Sequence, residues 1–212
     1  MAPRAYNNET RLQQQAELKG RIAAAAAQLH AEKGALATSW ADIALAAGVS
    51  LPTVHKHFPD LEALIPACVG HVATSAPPLA ADRILAAADL PAAADALVQA
   101  VDRLNAHFEP WMAWGEHRSL PVLAERVAGE RAQLAGLCRA VLQRHLGARA
   151  DLAELAAVWE SLLHFDFWHG LLRQHKLSRA AVRRTTVHLM LAVTGPQPAV
   201  APPPRPNPRK TP

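Results

Sequence analysis

The sequence predicts an all-α protein, and three observations lead to that prediction. Half of the 212 residues are apolar, and alanine and leucine, which favour helices, dominate them. No convincing alternation of apolar and polar residues, the pattern of a half-buried strand, occurs along the chain. Glycine and proline fall between long stretches with helical periodicity, so they mark the ends of helices.

The first helix is expected from about Arg11 to Lys33, where apolar residues follow helical spacing. That stripe consists of Leu18, Ile22, Ala26 and Leu29. Gly34 follows as the C-terminal stop. The polar residues 1–10 are expected to be disordered.

Three shorter helices are expected next, over 40–47, 51–58 and 61–72. Each follows a side chain that can accept a hydrogen bond from a first-turn amide, namely Ser39, Ser50 and Asp60. Gly48 stops the first of them. Pro52 suits the first turn of the second, where its missing N–H costs little. Pro59 ends that helix because it disfavours helical dihedrals in the preceding residue.

The rest of the chain divides into a hinge, a larger helical part and a tail. Two adjacent prolines after small polar residues predict a hinge over 74–82. Helices are then expected over 79–88, 91–114, 119–146, 150–175 and 178–194. Residues 196–212 are rich in proline and basic, with too few large apolar groups to fold, so a disordered extension is expected.

Composition favours a cytoplasmic protein. No run of about twenty apolar residues appears, and the polar N-terminus lacks the apolar core of a secretory signal. Cys68 and Cys138 lie far apart within apolar helical patterns, so reduced, buried thiols are expected rather than a disulfide. The formal charge is +4, yet residues 1–70 are balanced in acids and bases, so nucleic-acid binding must be argued from a motif rather than from bulk charge.

The helices expected over 40–47 and 51–58 have the composition of a helix-turn-helix. The two helices of that motif cross closely, which requires a small residue on the first, a glycine in the turn and a branched apolar residue on the second. Ala44, Gly48 and Val54 meet these requirements, and Ile43 and Val49 complete a small core. The side chains left facing outward are Leu51, Pro52, Thr53, His55, Lys56 and His57. An ordinary pair of surface helices with a solvated face is the alternative.

The stretch TSWADIALAAGVSLPTVHKHFPDLEALI, preceded by AAAAQLHAEKGA, resembles the N-terminal domain of TetR-family transcriptional regulators. The resemblance covers roughly residues 11–70, with glycine, serine, threonine, histidine and phenylalanine in register. It implies an N-terminal three-helix domain, over 11–72, whose helix-turn-helix enters the major groove of DNA. It also implies a larger helical domain, over 79–195, for effector binding and dimerisation.

The resemblance assigns roles to single residues. Thr53 and His57 match phosphate-contacting positions, and the helix N-terminus at 38–40 matches a further backbone contact through its amides. That N-terminus comprises Thr38, Ser39 and Trp40. The groove-facing set is then Leu51, Pro52, His55 and Lys56. Within it, Lys56 can donate to guanine acceptors, and Leu51 and Pro52 can pack on a thymine methyl group.

Two positions depart from the family pattern. His55 stands where the family usually has tyrosine, and Leu61 stands where it usually has lysine. Both family residues are associated with contacts to the DNA backbone or the nearby groove. Because a lysine is missing, the electrostatic share of DNA binding is expected to be modest.

Aromatic and imidazole groups in the larger part of the chain predict a pocket for a small molecule. These candidates are His107, Phe108, Trp111, Trp114, His117, His164, Phe165 and Trp168. The alternative is core packing between amphipathic helices. In the family, such a pocket binds an effector that changes the spacing of two DNA-binding heads.

A homodimer is expected because the last two long helices carry more apolar surface than one subunit needs, as in the family's four-helix interface. The apolar residues concerned are Leu155, Val158, Leu162, Phe165, Leu172, Val182, Val187, Leu189 and Leu191.

The sequence therefore predicts a transcriptional repressor that binds a palindromic operator as a dimer and is released by a small apolar or aromatic effector. The alternatives are a nucleoid-associated DNA-binding protein without an effector and a partner-binding module. An enzyme is not expected, because no glycine-rich phosphate loop and no convincing nucleophile–base–acid arrangement occurs. No metal-binding spacing of histidines occurs either, so neither cofactor nor metal is expected.

Overall fold

The computed structural model describes residues 6–195, and every regular element in that range is helical. The helices are α1 (Tyr6–Lys33), α2 (Trp40–Ala47), α3 (Leu51–His57), α4 (Leu61–Ala73), α5 (Ala81–Leu85), α6 (Leu90–Met112), α7 (Pro121–Leu146), α8 (Leu152–Leu163), α9 (Phe165–His169) and α10 (Arg179–Val193). A 3₁₀ turn spans Glu116–Arg118 and a π turn spans Gly170–Gln174. The prediction of an all-α fold is confirmed.

Helices α1 to α4 form a small N-terminal unit in which α1 packs on α2 and α4, and α2 packs on α3. The polar caps expected from the sequence begin three of these helices. Ser39, Ser50 and Asp60 accept hydrogen bonds from the amides of Asp42, Thr53 and Ala63 in the first turns of α2, α3 and α4, respectively. The core of the unit contains Ile22, Ile43, Val54, Phe58 and Leu64.

Helices α5 to α10 form the larger unit, in which α7 packs on α8 and α6 packs on α10. Trp159 lies at its centre with no exposed surface, and its indole N–H donates to the carbonyl of Met190 at 2.9 Å. An ion pair ties α6 to α10, because the buried carboxylate of Asp102 accepts from the half-exposed Arg179 at 2.6 Å. Contacts of α1 with α6 and of α4 with α7 join this unit to the first.

The structure corrects the single helix expected over 150–175. His164 is extended, with ψ at 147°, and it separates α8 from α9. Its side chain accepts from the amide of Asp166, so it acts as the cap of the new helix. The break turns Phe165 and Trp168 into a separate apolar cluster with Val182. Tertiary packing, rather than a local breaker residue, sets this boundary.

The bounds of the other helices differ less from those expected from the sequence. Helix α1 begins at Tyr6 rather than Arg11, so residues 6–10, expected to be disordered, are helical. Helix α5 is shorter than the 79–88 expected. The tail over 196–212 lies outside the described residues. Within 6–195, no helix is both long and apolar enough to cross a membrane.

Both cysteines are free and buried, as the sequence predicts. Burial raises the pKa of the Cys68 thiol and of the Cys138 thiol to about 12. Neither thiol is therefore a reactive nucleophile near neutral pH.

Candidate nucleic-acid interface and ligand cavity

Helices α2 and α3 pack closely through the residues that the sequence marks for a helix-turn-helix. Ala44 and Val54 are buried between them. Gly48 ends α2 in the left-handed region, with φ at 64°, which favours glycine because other residues would place Cβ near the backbone. Its amide donates to the carbonyls of Ala44 and Leu45. The turn thus fixes the angle at which α3 leaves α2.

The outward face of α3 carries most of the predicted DNA contacts. Leu51, Pro52, His55 and Lys56 are exposed, and Thr53 and His57 are half-buried. The Thr53 hydroxyl lies 2.7 Å from the hydroxyl of Ser50. Thr53 is therefore held against the start of the helix, and its side chain contributes to the cap as well as to the surface.

The two parts of the predicted interface lie next to each other. The rings of Trp40, at the start of α2, and His55, on α3, have centroids 5.0 Å apart and are tilted by 41°. The imidazole of His55 is therefore exposed on α3 but packed on one side against the indole, which orients it on this surface. Trp40 thereby links the start of α2 to the middle of α3 in one surface.

Polar side chains before α2 are engaged within the protein. The Thr38 hydroxyl donates to the carbonyl of Gly34 at 2.6 Å, and Ser39 caps α2. Lys33 binds Asp42 at 2.7 Å, and this hydrogen bond lowers the pKa of the Asp42 carboxyl. These contacts fix the end of α1 against the start of α2. Phosphate binding at this point would use backbone amides rather than the hydroxyls.

A cavity of about 420 Å³ lies where the two helical units meet. Its wall includes five of the eight residues proposed from the sequence, namely Phe108, Trp111, His117, His164 and Phe165. Most of the wall is apolar. A volume of this size falls within the range of small-molecule sites.

The remaining three candidates lie outside the cavity wall. His107 turns toward α4, where its Nε2 lies 3.1 Å from the carbonyl oxygen of Val72. Trp114 is about half exposed and its indole donates to the carbonyl of Ala31 at 3.3 Å. Trp168 is buried and donates to Asp102 at 2.8 Å. Helical spacing alone could not separate these residues from Phe108 and Trp111.

Sequence reasoning missed the part of the wall that comes from the N-terminal unit and from α7. The missed residues include His30, Ile65, Cys68, Val69, Val72, Leu123, Val127, Arg131 and Leu134. Those on α4 belong to an apolar pattern that the core of the N-terminal unit already explains. No local signal distinguishes a core position from one that lines a cavity between two units.

Hydrogen bonds connect the cavity wall to α1. The indole of Trp111 donates to the carbonyl of Ala27 at 2.7 Å. The carboxylate of Glu116 accepts from the amides of Ala35 and Leu36 at 2.7 and 2.8 Å. Gly34, with φ at 84°, lets the chain turn against this carboxylate, since a Cβ there would lie 2.7 Å from Glu116 Oε1. The cavity wall is thus bonded directly to the segment that precedes α2.

The ionic groups on the wall are paired within the protein. Arg131 makes two hydrogen bonds to Glu160, at 2.7 and 2.8 Å, and Arg126 binds Glu130 at 2.7 Å. The imidazoles of His30 and His117 differ from these groups, because each has a ring nitrogen without a hydrogen-bond partner among the described residues. His30 and His117 are buried, and burial lowers the pKa of each ring. Among the described residues, no cluster of histidine, cysteine or acidic side chains is arranged to hold a metal ion.

A helix-turn-helix with an exposed polar face, joined to a helical unit that encloses a cavity, defines a class of helical DNA-binding regulators. Comparisons with known proteins agree. Residues 22–68 match the family model described as bacterial regulatory proteins, tetR family. No curated protein matches the chain at a significant level of sequence similarity.

Solved structures show the same fold over most of the chain. A transcriptional regulator from Rhodococcus sp. RHA1 superposes with a TM-score of 0.59 at 19% identity, covering 82% of this chain and 96% of that one. A TetR-like transcriptional regulator from the same organism gives 0.57 at 15% identity, covering 92% and 100%. A chain described as a TetR-family transcriptional regulator from Mesorhizobium loti gives 0.55 at 24% identity, covering 84% and 96%.

The family match, taken with the helix-turn-helix geometry, applies to the N-terminal unit over residues 22–68. Beyond that unit, the solved structures show that the chain shares their fold. The resemblance of the N-terminal sequence to the tetR family is confirmed by this match.

Proposed function

We propose that the protein is a repressor that binds a palindromic operator as a homodimer and is released when a small apolar or aromatic effector enters the cavity. In this proposal, residues 11–72 bind DNA and residues 79–195 bind the effector and dimerise. The observation that carries it is the position of the cavity. Residues of α1 and α4 form one side of its wall, and residues of α6, α7 and α8 form the other.

The proposed DNA contacts follow the exposed face of α3. Lys56 and His55 read base edges, and Leu51 and Pro52 pack against thymine methyl groups. Thr53 and His57 contact phosphates, as do the amides at the start of α2. Exposure of the first four side chains and the close packing of Trp40 on His55 support this arrangement.

The proposed effector acts through contacts that already join the two units. Any ligand in the cavity touches side chains on both sides of it, so its binding energy depends on how the units are placed. Trp111 and Glu116 belong to the wall; Trp111 is hydrogen-bonded to the backbone of α1 and Glu116 to the backbone of the segment that follows α1. A change in their position moves the segment that leads into α2.

The proposed dimer forms through the outer faces of α8 and α10, which pack side by side. Val158, Leu189 and Val193 are each more than a third exposed on these helices. Leu155, Phe165 and Val182 are buried within the subunit, so the interface is narrower than the apolar pattern suggests. Two copies joined through this face form a symmetric pair, which requires a symmetric DNA site.

Selection of bound sequences from random double-stranded DNA tests this function. A palindrome with half-sites spaced for two heads is expected. A companion thermal-shift screen of small apolar compounds tests the effector, since a ligand that binds only the folded state raises the melting temperature. Recovery of unrelated or asymmetric sequences would contradict the operator-binding dimer. A palindrome without any stabilising ligand would leave a DNA-binding protein but contradict release by an effector.

A further inference from the structure

The chemistry of the cavity wall narrows the class of effector, an inference that rests on the proposed function. A cavity of about 150 Å³ holds benzene, so 420 Å³ leaves room for a molecule of two or three rings or an equivalent chain. Apolar side chains from α4, α6 and α7 form most of the surface that such a molecule would contact. The body of the ligand is therefore apolar.

The charged groups on the wall do not favour a charged ligand, because they are already paired within the protein. Glu116 accepts from two backbone amides, Glu160 is paired with Arg131, and Glu130 is paired with Arg126. A ligand carboxylate or ammonium group placed in this cavity would lose its hydration without gaining an unpaired counter-charge from these side chains. Uncharged ligands are favoured.

Two imidazoles on the wall have unused hydrogen-bonding capacity. His30 is 4% exposed and His117 is 6% exposed. Among the described residues, neither Nε2 of His30 nor Nδ1 of His117 has a hydrogen-bond partner. A buried polar atom without a partner costs free energy, which a ligand group can recover. The two rings come from α1 and from the 3₁₀ turn after α6, so they belong to different units.

The protonation of these rings decides which ligand group fits them. Burial lowers the pKa of both rings, and the carboxylates of Glu116 near His30 and of Asp166 near His117 oppose this only in part. Arg118 and His164 near His117 lower its pKa further. A neutral imidazole has one donor and one acceptor nitrogen. A hydroxyl group both donates and accepts, so it suits either tautomer.

We propose that the effector is an uncharged phenol or alcohol with a bulky apolar body, and that His30 and His117 recognise its hydroxyl group. Recognition from both units would make this hydrogen bonding sensitive to their relative placement. The hydroxyl would then provide selectivity, while the apolar wall provides most of the affinity.

Four probes built on one naphthalene ring system test the proposal by calorimetry at neutral pH without DNA: 2-naphthol, naphthalene, 2-naphthoate and 2-(aminomethyl)naphthalene. 2-Naphthol should bind about tenfold more tightly than naphthalene, as expected for about 1.4 kcal/mol of hydrogen bonding. Both charged probes should bind more weakly than 2-naphthol. This comparison uses the unaltered protein, so it does not depend on the folding of a variant.

Variants then test whether His30 and His117 cause the preference for 2-naphthol over naphthalene. The double change His30→Leu and His117→Leu should remove the tenfold advantage of 2-naphthol while naphthalene still binds. His145→Leu is the matched control, because His145 also has a ring nitrogen without a partner in the described part of the chain but does not line the cavity. It should keep the advantage.

Two kinds of result separate this inference from the proposed function. The hydroxyl proposal is overturned if a charged probe binds most tightly, if all four probes bind equally, or if the advantage of 2-naphthol survives the double change. In each case the cavity remains a ligand site. Failure of every probe to bind or to alter operator affinity overturns both.

Discussion

Neighbouring side chains on α3 have different expected roles at the DNA surface. Lys56 is exposed and carries a charge that can reach base edges, whereas Thr53 is half-buried beside Ser50. A base contact discriminates between sequences, and a phosphate contact does not. Two single changes on α3 can therefore distinguish a residue that recognises bases from one that only contacts phosphates.

Lys56→Ala is expected to change which bases are preferred at one position of the operator, at a cost of about 1–3 kcal/mol for the preferred base. Thr53→Ala should weaken binding to all sites about equally, because phosphates are present in every sequence. Affinities for a library of single-base operator variants measure both effects. If Lys56→Ala leaves the ranking of these variants unchanged, α3 does not read the sequence as proposed.

Leu61→Lys restores the positive charge usual in the family at the start of α4. Each neutralised phosphate contributes about −0.9 to the slope of log affinity against log salt, so two heads should steepen the slope by roughly two. Leu61 packs on the edge of the N-terminal core, and the lysine stem can keep part of that contact. Leu177→Lys, which adds the same charge in the larger unit, should leave the slope nearly unchanged.

The buried rings of His30 and His117 should make the free energy of unfolding depend on pH. Burial lowers the pKa of both from 6.5 in the folded protein, so the unfolded chain binds protons first as pH falls through that value. Stability is therefore lost on acidification below about pH 6.5, by at most about 1.4 kcal/mol per pH unit for each ring. Urea unfolding of His30→Leu and His117→Leu should show a shallower decline. The same decline in all three proteins would contradict this account.

At the scale of helices, some boundaries are set by local sequence signals and can be predicted, whereas others are set by tertiary packing and cannot. Capping residues such as Ser39 and Asp60 act within one turn, so the starts of α2 and α4 follow from the sequence. The break at His164 does not, because no proline or glycine occurs there and the reason for it lies in the packing of Phe165 and Trp168. Contacts between distant helices are not encoded in local periodicity.

The hydrogen bonds from α6 and its following turn to α1 should transmit ligand binding to the DNA-binding unit. Trp114→Phe removes the bond to Ala31 and changes no cavity residue. Ligand affinity without DNA should persist, but the factor by which operator DNA changes that affinity should shrink. Titrations of ligand with and without operator measure this factor for the variant and the unaltered protein. An unchanged factor would show that this contact does not transmit the effect.

At the scale of the whole molecule, the cavity is the feature that the sequence defined least well. Phe108 and Trp111, which the sequence suggests as pocket residues, lie on its wall, whereas the contributions of Ile65, Cys68 and Val127 depend on how two units meet. The same limit applies to the dimer. Apolar periodicity shows which helices carry excess apolar surface but not which residues the subunit itself buries.

The proposed dimer predicts the effect of charges on the outer faces of α8 and α10. Val158→Glu and Leu189→Glu should each shift the protein toward monomer, because a charge would be buried in the interface. Leu12→Glu, at a more exposed leucine on α1, should not. Light scattering at micromolar concentration measures the mass. A monomeric unaltered protein, or dimers that survive both changes, would contradict the proposed interface.

The closeness of Gly34 to Glu116 links two positions that are far apart in the chain. A side chain at position 34 would collide with the carboxylate, and φ at 84° already disfavours residues other than glycine. Asparagine, which tolerates this φ better than most residues, should therefore appear at 34 only in descendants that carry a smaller residue at 116. Over evolutionary time the two positions are expected to covary, while the exposed side chain at Leu36 drifts independently.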